Sequence, residues 1–461
     1  MGLIRDGALL VREGKILAAG ARKMVERRPE AKRAEKLDVG RRVILPGFVD
    51  SHTHLIHAAS RAEEYELKIQ GVSYEEVARK GGGILNSVKK LRAATRGALK
   101  SRAAAALASF GSYGTTTLEA KSGYGLDMAS ELKILTLHRE LNAEQPLEIV
   151  STFLGAHVVP VEFRARPGDR ERYLALLMEK LLPEVVIGDL AEYCDVFCDR
   201  GAFTVAQSKR LLTKAKEHGL APRLHAEQLS RTGATQLAAE LEAASCDHLE
   251  RVNDSDIRAL AKSDTVATLL PGCDFHLGLN SYAPARKLIE AGAIVGLATD
   301  YNPGTSPTMS MPMVLSLACS QLRMTPAEAI TAATINAAFS LGRDKSIGSL
   351  EPGKQADLLV LSVKIDGSSL TPLNPAVKAS PADVALVVVG GQPLYGDPAI
   401  LAQLLPAGSQ LEPMKVCGAQ KAVYLGQSGA AARGWSLRDV IDSLNAALAK
   451  AGSSLPDIEC D

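Results

Sequence analysis

The sequence is poor in aromatic residues, in cysteine and in net charge. Phe, Trp and Tyr together make up 4% of the 461 residues, and the formal net charge is +1. Because neither a basic nor an acidic surface is implied, the charge gives no reason to expect nucleic acid or an anionic membrane as a partner. The 7 cysteines are scattered and odd in number, which disfavours a disulfide framework and favours a reducing compartment.

Long apolar runs are absent from the sequence as well. No stretch of about 18 or more apolar residues occurs, so we expect no transmembrane segment. Charged residues interrupt the apolar ones throughout residues 1–20, so we also expect no signal peptide. These absences together predict a cytoplasmic protein. The chain length and the 46% of apolar residues allow one large domain and a smaller one.

Short apolar runs alternate with helical patterns between residues 43 and 341. This alternation predicts a parallel sheet covered by helices. Eight such units over roughly 250–300 residues fit a closed (β/α)8 TIM-like barrel better than an open sheet. The predicted strands are 43–50, 115–120, 147–153, 189–197, 221–225, 244–248, 265–270 and 294–300.

Strand-like runs on both sides of the barrel predict a second, smaller unit. Residues 8–19 precede the barrel, and residues 356–362 and 383–390 follow it. Gly and Pro bound these runs, so we expect them to pair in a small β-sandwich domain formed by the two ends of the chain. The expected units are 1–42 and 346–426 for the two parts of this domain, 43–345 for the barrel, and 427–461 for a linker and a C-terminal helix.

Four residues with metal-ligand side chains follow three of the predicted barrel strands. His52 and His54 form an H-x-H after strand 1, His225 ends strand 5, and Asp300 closes strand 8. Alternate residues of an extended segment point the same way, and the carboxyl ends of barrel strands meet at one mouth. Three imidazoles and one carboxylate suit zinc or ferrous iron. The sequence therefore predicts one divalent metal ion at this mouth, where it would activate a water and polarise a carbonyl.

Longer motifs carry a family resemblance. LPGFVDSHTH, HAEQ, DHL and ATDYNPGTSP resemble the amidohydrolase superfamily; SHTHLIHAASR, EAKSGYGL, STFLGAH and ATDYNPGTSPTMSMP are similar to the imidazolonepropionase family within it. The resemblance covers residues 43–345. It implies one bound metal ion (Zn²⁺ or Fe²⁺/Fe³⁺), a small-molecule substrate and a possible homodimer. The reaction that it implies is hydrolysis of 4-imidazolone-5-propanoate to N-formimidoyl-L-glutamate in histidine degradation.

The resemblance also implies a role for each matching residue. The positions that match metal ligands are His52, His54, His225 and Asp300. Asp300 and His248 match the catalytic pair that transfers the proton and orients the water. The positions that match substrate-binding residues are Arg61, Tyr74, Tyr124, His157, Gln228, Asn302, Gly304 and Thr305. Gln228 stands where some members have Glu, and because an amide cannot act as a base, proton transfer falls on Asp300 and His248.

The residues by themselves support part of this assignment. Arg61 offers a bidentate cation for a carboxylate tail, and Tyr124 lies between two glycines in a loop. Each of them alone also fits a surface residue or a loop anchor. Two alternatives therefore stay open. One is a deaminase or lactamase with the same metal centre and another small cyclic substrate; the other is a non-catalytic amidohydrolase-like scaffold, which would be expected to lose metal ligands.

Other polar residues are expected to have structural roles. Lys121 ends strand 2 and is expected to make a structural ion pair. No lysine lies in the predicted fourth strand, 189–197, which weakens a carbamate-bridged pair of metal ions. His138 and His218 lie within or at the end of helical patterns and are expected to be solvated.

Overall fold

The computed structural model describes residues 2–72, 76, 82–362, 373–406, 409 and 411–424. The strands in these residues are β1 (Gly7–Arg12), β2 (Lys15–Ala21), β3 (Val43–Pro46), β4 (Phe48–Asp50), β5 (Thr115–Lys121), β6 (Glu148–Ala156), β7 (Tyr193–Cys198), β8 (Ala221–Ala226), β9 (Ser245–His248), β10 (Val266–Leu269), β11 (Val295–Leu297), β12 (Leu358–Leu361), β13 (Val384–Val389), β14 (Gln392–Gly396), β15 (Leu411–Val416) and β16 (Ala419–Tyr424).

Helices connect most of these strands. The α-helices are Arg22–Glu26, Ala62–Ile69, Ile84–Ala93, Arg96–Ser112, Met128–Glu144, Asp169–Leu176, Leu182–Ile187, Val205–Glu217, Ala234–Glu240, Asp254–Leu260, Pro271–Leu277, Ala285–Glu290, Met311–Ser320, Pro326–Ala332, Ile335–Ser340 and Pro398–Leu404. A π-helical turn, Leu177–Leu181, joins two of them, and short 3-10 helices lie at Glu30–Arg33, Val161–Phe163, Asn374–Val377 and Pro381–Asp383. Among the described residues, no helix combines the length and apolar character needed to cross a membrane.

The strands β4 to β11 form the predicted (β/α)8 barrel. Each pairs in parallel with the next strand along the chain, from β4 to β11. The chain segments after β4 and β11 close the ring, because Thr53 bridges Tyr301 in parallel and Asp300 N–H donates to the His52 carbonyl at 3.1 Å. The main apolar core lies between the strands and their covering helices, with Val196, Leu211 and Leu224 among its buried members.

The predicted first barrel strand, 43–50, is wrong in its first half. Val43–Pro46 pairs antiparallel with Leu358–Leu361 in a different sheet, whereas Phe48–Asp50 pairs with the barrel strand Thr115–Lys121. Gly47 separates the two strands at a point of close approach, since a Cβ there would lie 2.3 Å from the Thr116 side chain. One run in the sequence therefore contributes a strand to each of two sheets, and the chain passes from one sheet to the other at Gly47.

The second unit contains a six-stranded antiparallel sheet in the order β15-β16-β14-β13-β12-β3. The predicted strands 356–362 and 383–390 correspond to β12 and β13, but β14, β15 and β16 had no predicted counterpart. Both ends of the chain contribute to this unit, as expected, because Lys15 in β2 bridges Gln355 just before β12.

The predicted strand 8–19 is wrong as a single strand and is instead the hairpin β1–β2. Glu13 and Gly14 connect its arms, and both have positive φ, 50° and 75°. A two-residue connection of this kind turns the chain back in the sense that twisted strands need. The division into units at residues 42, 345 and 426 stays a prediction, and the expected C-terminal helix in 427–461 lies outside the described residues.

Candidate active site

The four predicted metal ligands lie together at the mouth of the barrel, and all four are buried. Together with His248, these residues form two groups of three that share His52, and the possible ligand atoms of each group lie within 4.8 Å of one another. One group contains His54 and Asp300, and the other contains His225 and His248. The Asp300 carboxylate lies 3.5 Å from Nε2 of His52 and 3.6 Å from Nε2 of His54. The folding of the barrel thus brings together residues from strands that are far apart in sequence.

The protonation of two histidines fits a metal ion. Nδ1 of His52 lies 2.7 Å from the Asp247 carboxylate, and Nδ1 of His225 lies 3.1 Å from the Asp195 carboxylate. Since a carboxylate accepts, each Nδ1 donates a proton and each Nε2 presents a lone pair. Within the described part of the chain, both Nε2 atoms are buried without a hydrogen-bond partner. A carboxylate that orients a histidine in this way is a regular feature of metal centres, so these residues fit a divalent ion.

Burial keeps the histidines of the centre in the form that binds metal. It lowers the pKa of His52 well below the usual value, with a contribution from the nearby Lys121 ammonium. It lowers the pKa of His54 in the same way, with a contribution from His157. Both imidazoles are therefore neutral near pH 7, and a neutral imidazole is the ligand form of histidine.

A layer of charged side chains lies below the histidines, inside the barrel. Lys121 Nζ donates to Glu119 at 2.8 Å and to Asp195 at 2.7 Å, and it lies 3.6 Å from Asp247. Arg223 donates to the carbonyls of Ser51 and Ser340, and its side chain is fully enclosed. The expected structural pairing of Lys121 is confirmed. It carries more weight than expected, because Lys121 neutralises the two carboxylates that orient His52 and His225.

Sequence reasoning missed Asp195 and Asp247, although a signal for them exists. Each is a charged residue inside a buried strand and follows a cysteine there, in YCDVFC and SCDH. In a closed barrel with covering helices, such a residue points into the barrel interior, where it needs partners. Although burial acts to raise the pKa of Asp195, His225 and Lys121 hold it well below its usual range. The carboxylate therefore stays ionised.

His248 differs from the other histidines of the site because its neighbours are acidic. Its Nδ1 lies 3.3 Å from the Glu250 carboxylate. Burial alone would lower the pKa of His248, but Glu250, with Asp300 and Asp274, raises it to about 9. A cationic His248 donates rather than ligates, which disagrees with its membership of a possible ligand group. A bound ion would add positive charge and lower this pKa, but the acidic surroundings favour a donor role.

Three residues at the mouth have unusual backbone conformations. Glu227, His248 and Asp300 have φ values of 51°, 84° and 53°. Positive φ is uncommon outside glycine, and it concentrates at functional sites where surrounding contacts hold the strain. Glu227 shows one such set of contacts, since its carboxylate accepts the N–H groups of 232–235 at 2.7–3.0 Å. Gln228 therefore extends from a fixed backbone, and its amide lies 3.7 Å from Cys273 Sγ.

Two predicted substrate-binding residues adjoin the metal ligands directly. The His157 ring stacks on His54 with centroids 5.2 Å apart, and the Tyr124 ring lies 5.6 Å from His54. His157 Nδ1 donates to the Gly123 carbonyl at 3.0 Å, so its Nε2 is an acceptor. Burial, with a contribution from His225, lowers the pKa of His157 to about 3, and the ring is neutral near pH 7.

Arg61 is buried at the rim of the site, and its guanidinium pairs with Glu64. Nε and Nη2 lie 2.8 and 2.7 Å from the same Glu64 oxygen. On its other side the guanidinium lies against Gly304, where a Cβ would be 2.0 Å from Nη1. A side chain at position 304 would therefore clash with the Arg61 guanidinium, whereas glycine leaves room for it. Arg61 is also close enough to His157 to contribute to its low pKa.

Hydrogen bonds of the Asn302 side chain hold the turn that follows Asp300. The Asn302 oxygen accepts the N–H groups of Gly304 and Thr305, both at 2.8 Å. Its nitrogen donates to the Asp300 carbonyl at 2.7 Å and to the Thr305 hydroxyl at 2.8 Å. The amide is therefore engaged within the turn, and direct substrate contact by Asn302 and Thr305 stays a prediction. The predicted residue Tyr74 lies outside the described residues.

The expectation that His138 is solvated is wrong. His138 is 1% exposed, and its Nδ1 lies 3.0 Å from the Ser151 hydroxyl of the neighbouring strand. Helix Met128–Glu144 turns this residue towards the barrel, which a mixed polar pattern in the sequence does not reveal. His218, at the end of its helix, is exposed as expected.

Comparison with known proteins assigns the class. The model of the amidohydrolase family matches residues 43–394. The chain therefore belongs to the amidohydrolase family, and it is a hydrolase. Among solved structures, an adenosine deaminase from Xanthomonas campestris with bound zinc has a TM-score of 0.63 at 17% identity, covering 87% of this chain and 92% of that one. E. coli guanine deaminase has a TM-score of 0.61 at 16% identity, covering 86% and 93%.

Curated relatives narrow the class further. The imidazolonepropionase of Geobacillus kaustophilus (strain HTA426) is 45% identical over 368 residues, which are 79% of this chain and 85% of that protein. The imidazolonepropionase of Solibacter usitatus (strain Ellin6076) is 48% identical over 360 residues, 78% and 85% of the two chains. The resemblance seen in the sequence motifs is thus confirmed across most of the chain.

Proposed function

We propose that this chain opens the ring of 4-imidazolone-5-propanoate by hydrolysis. Water adds its oxygen to the ring carbonyl carbon, the adjacent carbon–nitrogen bond breaks, and the nitrogen takes up the proton, which gives N-formimidoyl-L-glutamate. The observation that carries this proposal is a buried arginine, Arg61, at the rim of a His/Asp centre. A hydrolytic centre alone fits any small cyclic amide, whereas a buried cation beside it selects a substrate with a carboxylate tail.

The residues that would hold the metal are His52, His54, His225 and Asp300. Imidazole and carboxylate ligands suit Zn²⁺ or iron (Fe²⁺/Fe³⁺), and when bound the ion activates water and polarises the carbonyl. Treatment of the full-length protein with a chelator should abolish turnover, and one equivalent of the correct metal should restore it. Elemental analysis of the purified protein distinguishes zinc from iron.

Proton transfer falls on Asp300 and His248. The Asp300 carboxylate lies among the histidines of the centre, 3.5 Å from Nε2 of His52 and 3.6 Å from Nε2 of His54, where a positioned carboxylate can accept a proton from water. Asp300 accepts the proton of the attacking water and returns it to the departing nitrogen. His248, held by Glu250, donates a hydrogen bond that orients the water or stabilises the negative charge developing on the carbonyl oxygen.

Substrate recognition divides between the tail and the ring. Arg61 and Tyr124 bind the propanoate, and Tyr74 is proposed to join them. His157 reads the ring, since the free lone pair on its Nε2 accepts a ring N–H. Gln228 hydrogen-bonds the ring from the other side. Gly304 leaves room for Arg61, and Asn302 with Thr305 shapes the turn that carries Asp300.

The variant Arg61→Met tests the substrate. Loss of a charge-assisted contact in a partly dry pocket costs about 1.5–3 kcal/mol, or roughly ten- to a hundredfold in kcat/KM, mainly through KM. Because the change strands Glu64, the double variant Arg61→Met/Glu64→Gln should be measured beside it. In the same variant, kcat/KM for an uncharged cyclic amide should fall much less than kcat/KM for imidazolone propanoate.

Arg343→Met provides the matched control. Arg343 also forms ion pairs with two glutamates, Glu148 at 2.7 Å and Glu192 at 2.8 Å. Glu148 is the first residue of β6 and Glu192 directly precedes β7, so both lie at the end of the barrel away from the mouth. Its kinetics should match the wild type. If the wild type prefers uncharged rings, or if Arg61→Met leaves KM unchanged, the enzyme is a deaminase or lactamase for another small cyclic substrate.

The proposal extends to the state of the protein in the cell. A cytoplasmic location is part of this proposal; Cys194, Cys198, Cys246, Cys273 and Cys319 carry free thiols, whereas Cys417 is disulfide-bonded. The family resemblance supports a homodimer. Light scattering of the full-length protein at micromolar concentration tests this, and a monomer mass would contradict it.

A further inference from the structure

Glu131 is a fully buried carboxylate that the chemistry above does not use. It lies in the first turn of helix Met128–Glu144. Removing a carboxylate from water is costly unless several donors replace the water. Glu131 therefore needs a set of partners, and their identity connects it to the active site.

Its partners are backbone N–H groups of the loop that carries Tyr124. One Glu131 oxygen accepts from Gly125 at 2.7 Å and from Leu126 at 2.8 Å, and the other accepts from Gly123 at 3.0 Å. Burial raises the pKa of Glu131, and the hydrogen bonds from these N–H groups act to lower it. Leu126 has a φ of 54°, which is uncommon outside glycine, so the loop adopts a backbone that requires such support.

The loop has no room to relax on either side. A Cβ on Gly125 would lie 2.6 Å from the Glu131 nitrogen and 2.8 Å from its carboxylate oxygen. A Cβ on Gly123 would lie 2.9 Å from the Leu154 carbonyl and 3.0 Å from His157 Nδ1. The loop is thus packed between the carboxylate and the end of β6, and its position depends on both.

Two residues of the site take their positions from this loop. Tyr124 lies between the two glycines, and its ring packs 5.6 Å from His54 and 5.5 Å from His157. The Gly123 carbonyl accepts from His157 Nδ1, which leaves the His157 lone pair on Nε2. A shift of the loop would therefore move the Tyr124 phenol and also remove the hydrogen bond that keeps the His157 proton on Nδ1.

We infer that Glu131 is a positioning residue for substrate binding: its carboxylate holds the loop 122–126 so that Tyr124 and His157 present their groups to the substrate. The role assigned to those two residues rests on the proposed function, whereas the geometry of the loop does not. Glu131 does not touch the reacting atoms. Its influence is expected in KM and in the positions of Tyr124 and His157, with the metal centre left intact.

The first test is the kinetics of Glu131→Gln in metal-replete protein. The amide keeps the size of the side chain but has one acceptor oxygen, and its N–H₂ group would face the loop N–H groups. We expect KM for imidazolone propanoate to rise about tenfold or more, with kcat changed less and metal content unchanged. Glu131→Asp keeps the charge but has a shorter side chain, so its KM should lie between those of the wild type and Glu131→Gln. This variant replaces Glu131→Gln in the test if the amide variant fails to fold.

The matched control is Asp357→Asn. Asp357 is another buried carboxylate that accepts a loop N–H, from Gly390 at 2.6 Å, but it lies in the link to the six-stranded sheet. It should change the stability and leave KM unchanged. A rise in KM in both variants would mean that the effect is not specific to the loop 122–126, and would overturn the inference.

A double-mutant cycle identifies the route of the effect. If Glu131 acts through Tyr124, the loss caused by Glu131→Gln should be at least about threefold smaller in a Tyr124→Phe background. Additive losses in kcat/KM would overturn this route.

A crystal structure of substrate-free Glu131→Gln separates this inference from the substrate assignment. We expect the Gly123 carbonyl to move away from His157 and the Tyr124 ring to leave its place beside His54. An unchanged loop overturns the inference whatever the substrate is. If the wild type does not turn over imidazolone propanoate but the loop moves in the variant, the proposed function fails and the inference stands.

Discussion

The barrel interior and the six-stranded sheet are both buried, but β5 of the barrel and β13 of the sheet differ in their chemistry. All six residues of β13, VALVVV, are buried and apolar. All seven residues of β5, TTTLEAK, are buried as well, yet Glu119 and Lys121 are charged and fully enclosed. The sheet is mainly a packing unit, with one enclosed cation, Lys421, that pairs with Asp397. The barrel interior holds the carboxylates of Glu119, Asp195 and Asp247 and the cations of Lys121 and Arg223 below the metal ligands.

The difference shows what each region contributes. Burial of apolar groups in the sheet stabilises the fold directly, at about 25 cal/mol per Å². Burial of an ion pair is at best weakly stabilising, because desolvation offsets the attraction. The charges in the barrel are therefore explained by what they orient, the Nδ1 atoms of His52 and His225, and the sheet supports the fold that holds them.

The largest effect is expected for Asp300→Asn. The amide cannot accept the water proton, so kcat should fall about 10²–10⁴-fold with the fold retained. Metal content must be measured in the same samples, since Asp300 also faces His52 and His54. Near-normal turnover in metal-replete protein would mean that another residue is the base.

Lys121→Met should lower both the stability of the barrel and its affinity for metal. It leaves Glu119, Asp195 and Asp247 with one cation fewer, and removal of one partner from a buried ionic group costs about 3–5 kcal/mol. Metal affinity should also fall, about 10- to 100-fold, because the carboxylates that orient two histidines lose their partner. Denaturant unfolding and metal titration measure the two effects. Unchanged metal affinity would separate Lys121 from the site.

Leu359→Ala in β12 is the counterpart in the sheet. The side chain is fully buried and packs against Gly114, where a Cβ would lie 2.7 Å from it. Truncation should lower the free energy of unfolding by about 2–5 kcal/mol. The kcat and KM values of the folded protein should stay at wild-type levels, and a changed KM would contradict the separation of the two regions.

The smallest effect concerns pH. Burial raises the pKa of Asp357 from 3.8 to about 6. Because the pKa in the folded state lies above that in the unfolded state, the protonated group contributes stability below about pH 4, and this contribution is lost as pH rises to about 6. Wild type should therefore lose up to about 3 kcal/mol relative to Asp357→Asn across this window. Parallel pH profiles of unfolding for the two proteins would contradict the expectation.

The barrel could be predicted from the sequence because its signal is local. Strands such as 115–120 and 221–225 lie between helical patterns, and His225 stands at the carboxyl end of the second of them. The run 43–50 could not be resolved in this way, since Val43–Pro46 and Phe48–Asp50 follow each other in one strand-like run and differ only in their pairing partners. Hydrophobic patterns specify burial, and they do not specify which sheet a strand joins.

By itself the sequence determined the class of protein, the kind of centre and the residue types that could form it. Only the tertiary structure decided which groups complete that centre, because Asp195, Asp247, Lys121 and Glu131 act through contacts with residues on other elements. A carboxylate read in a sequence is equally a surface charge or a buried acceptor. The difference arises from desolvation and from the donors that surround the group, and both exist only once distant segments have packed together.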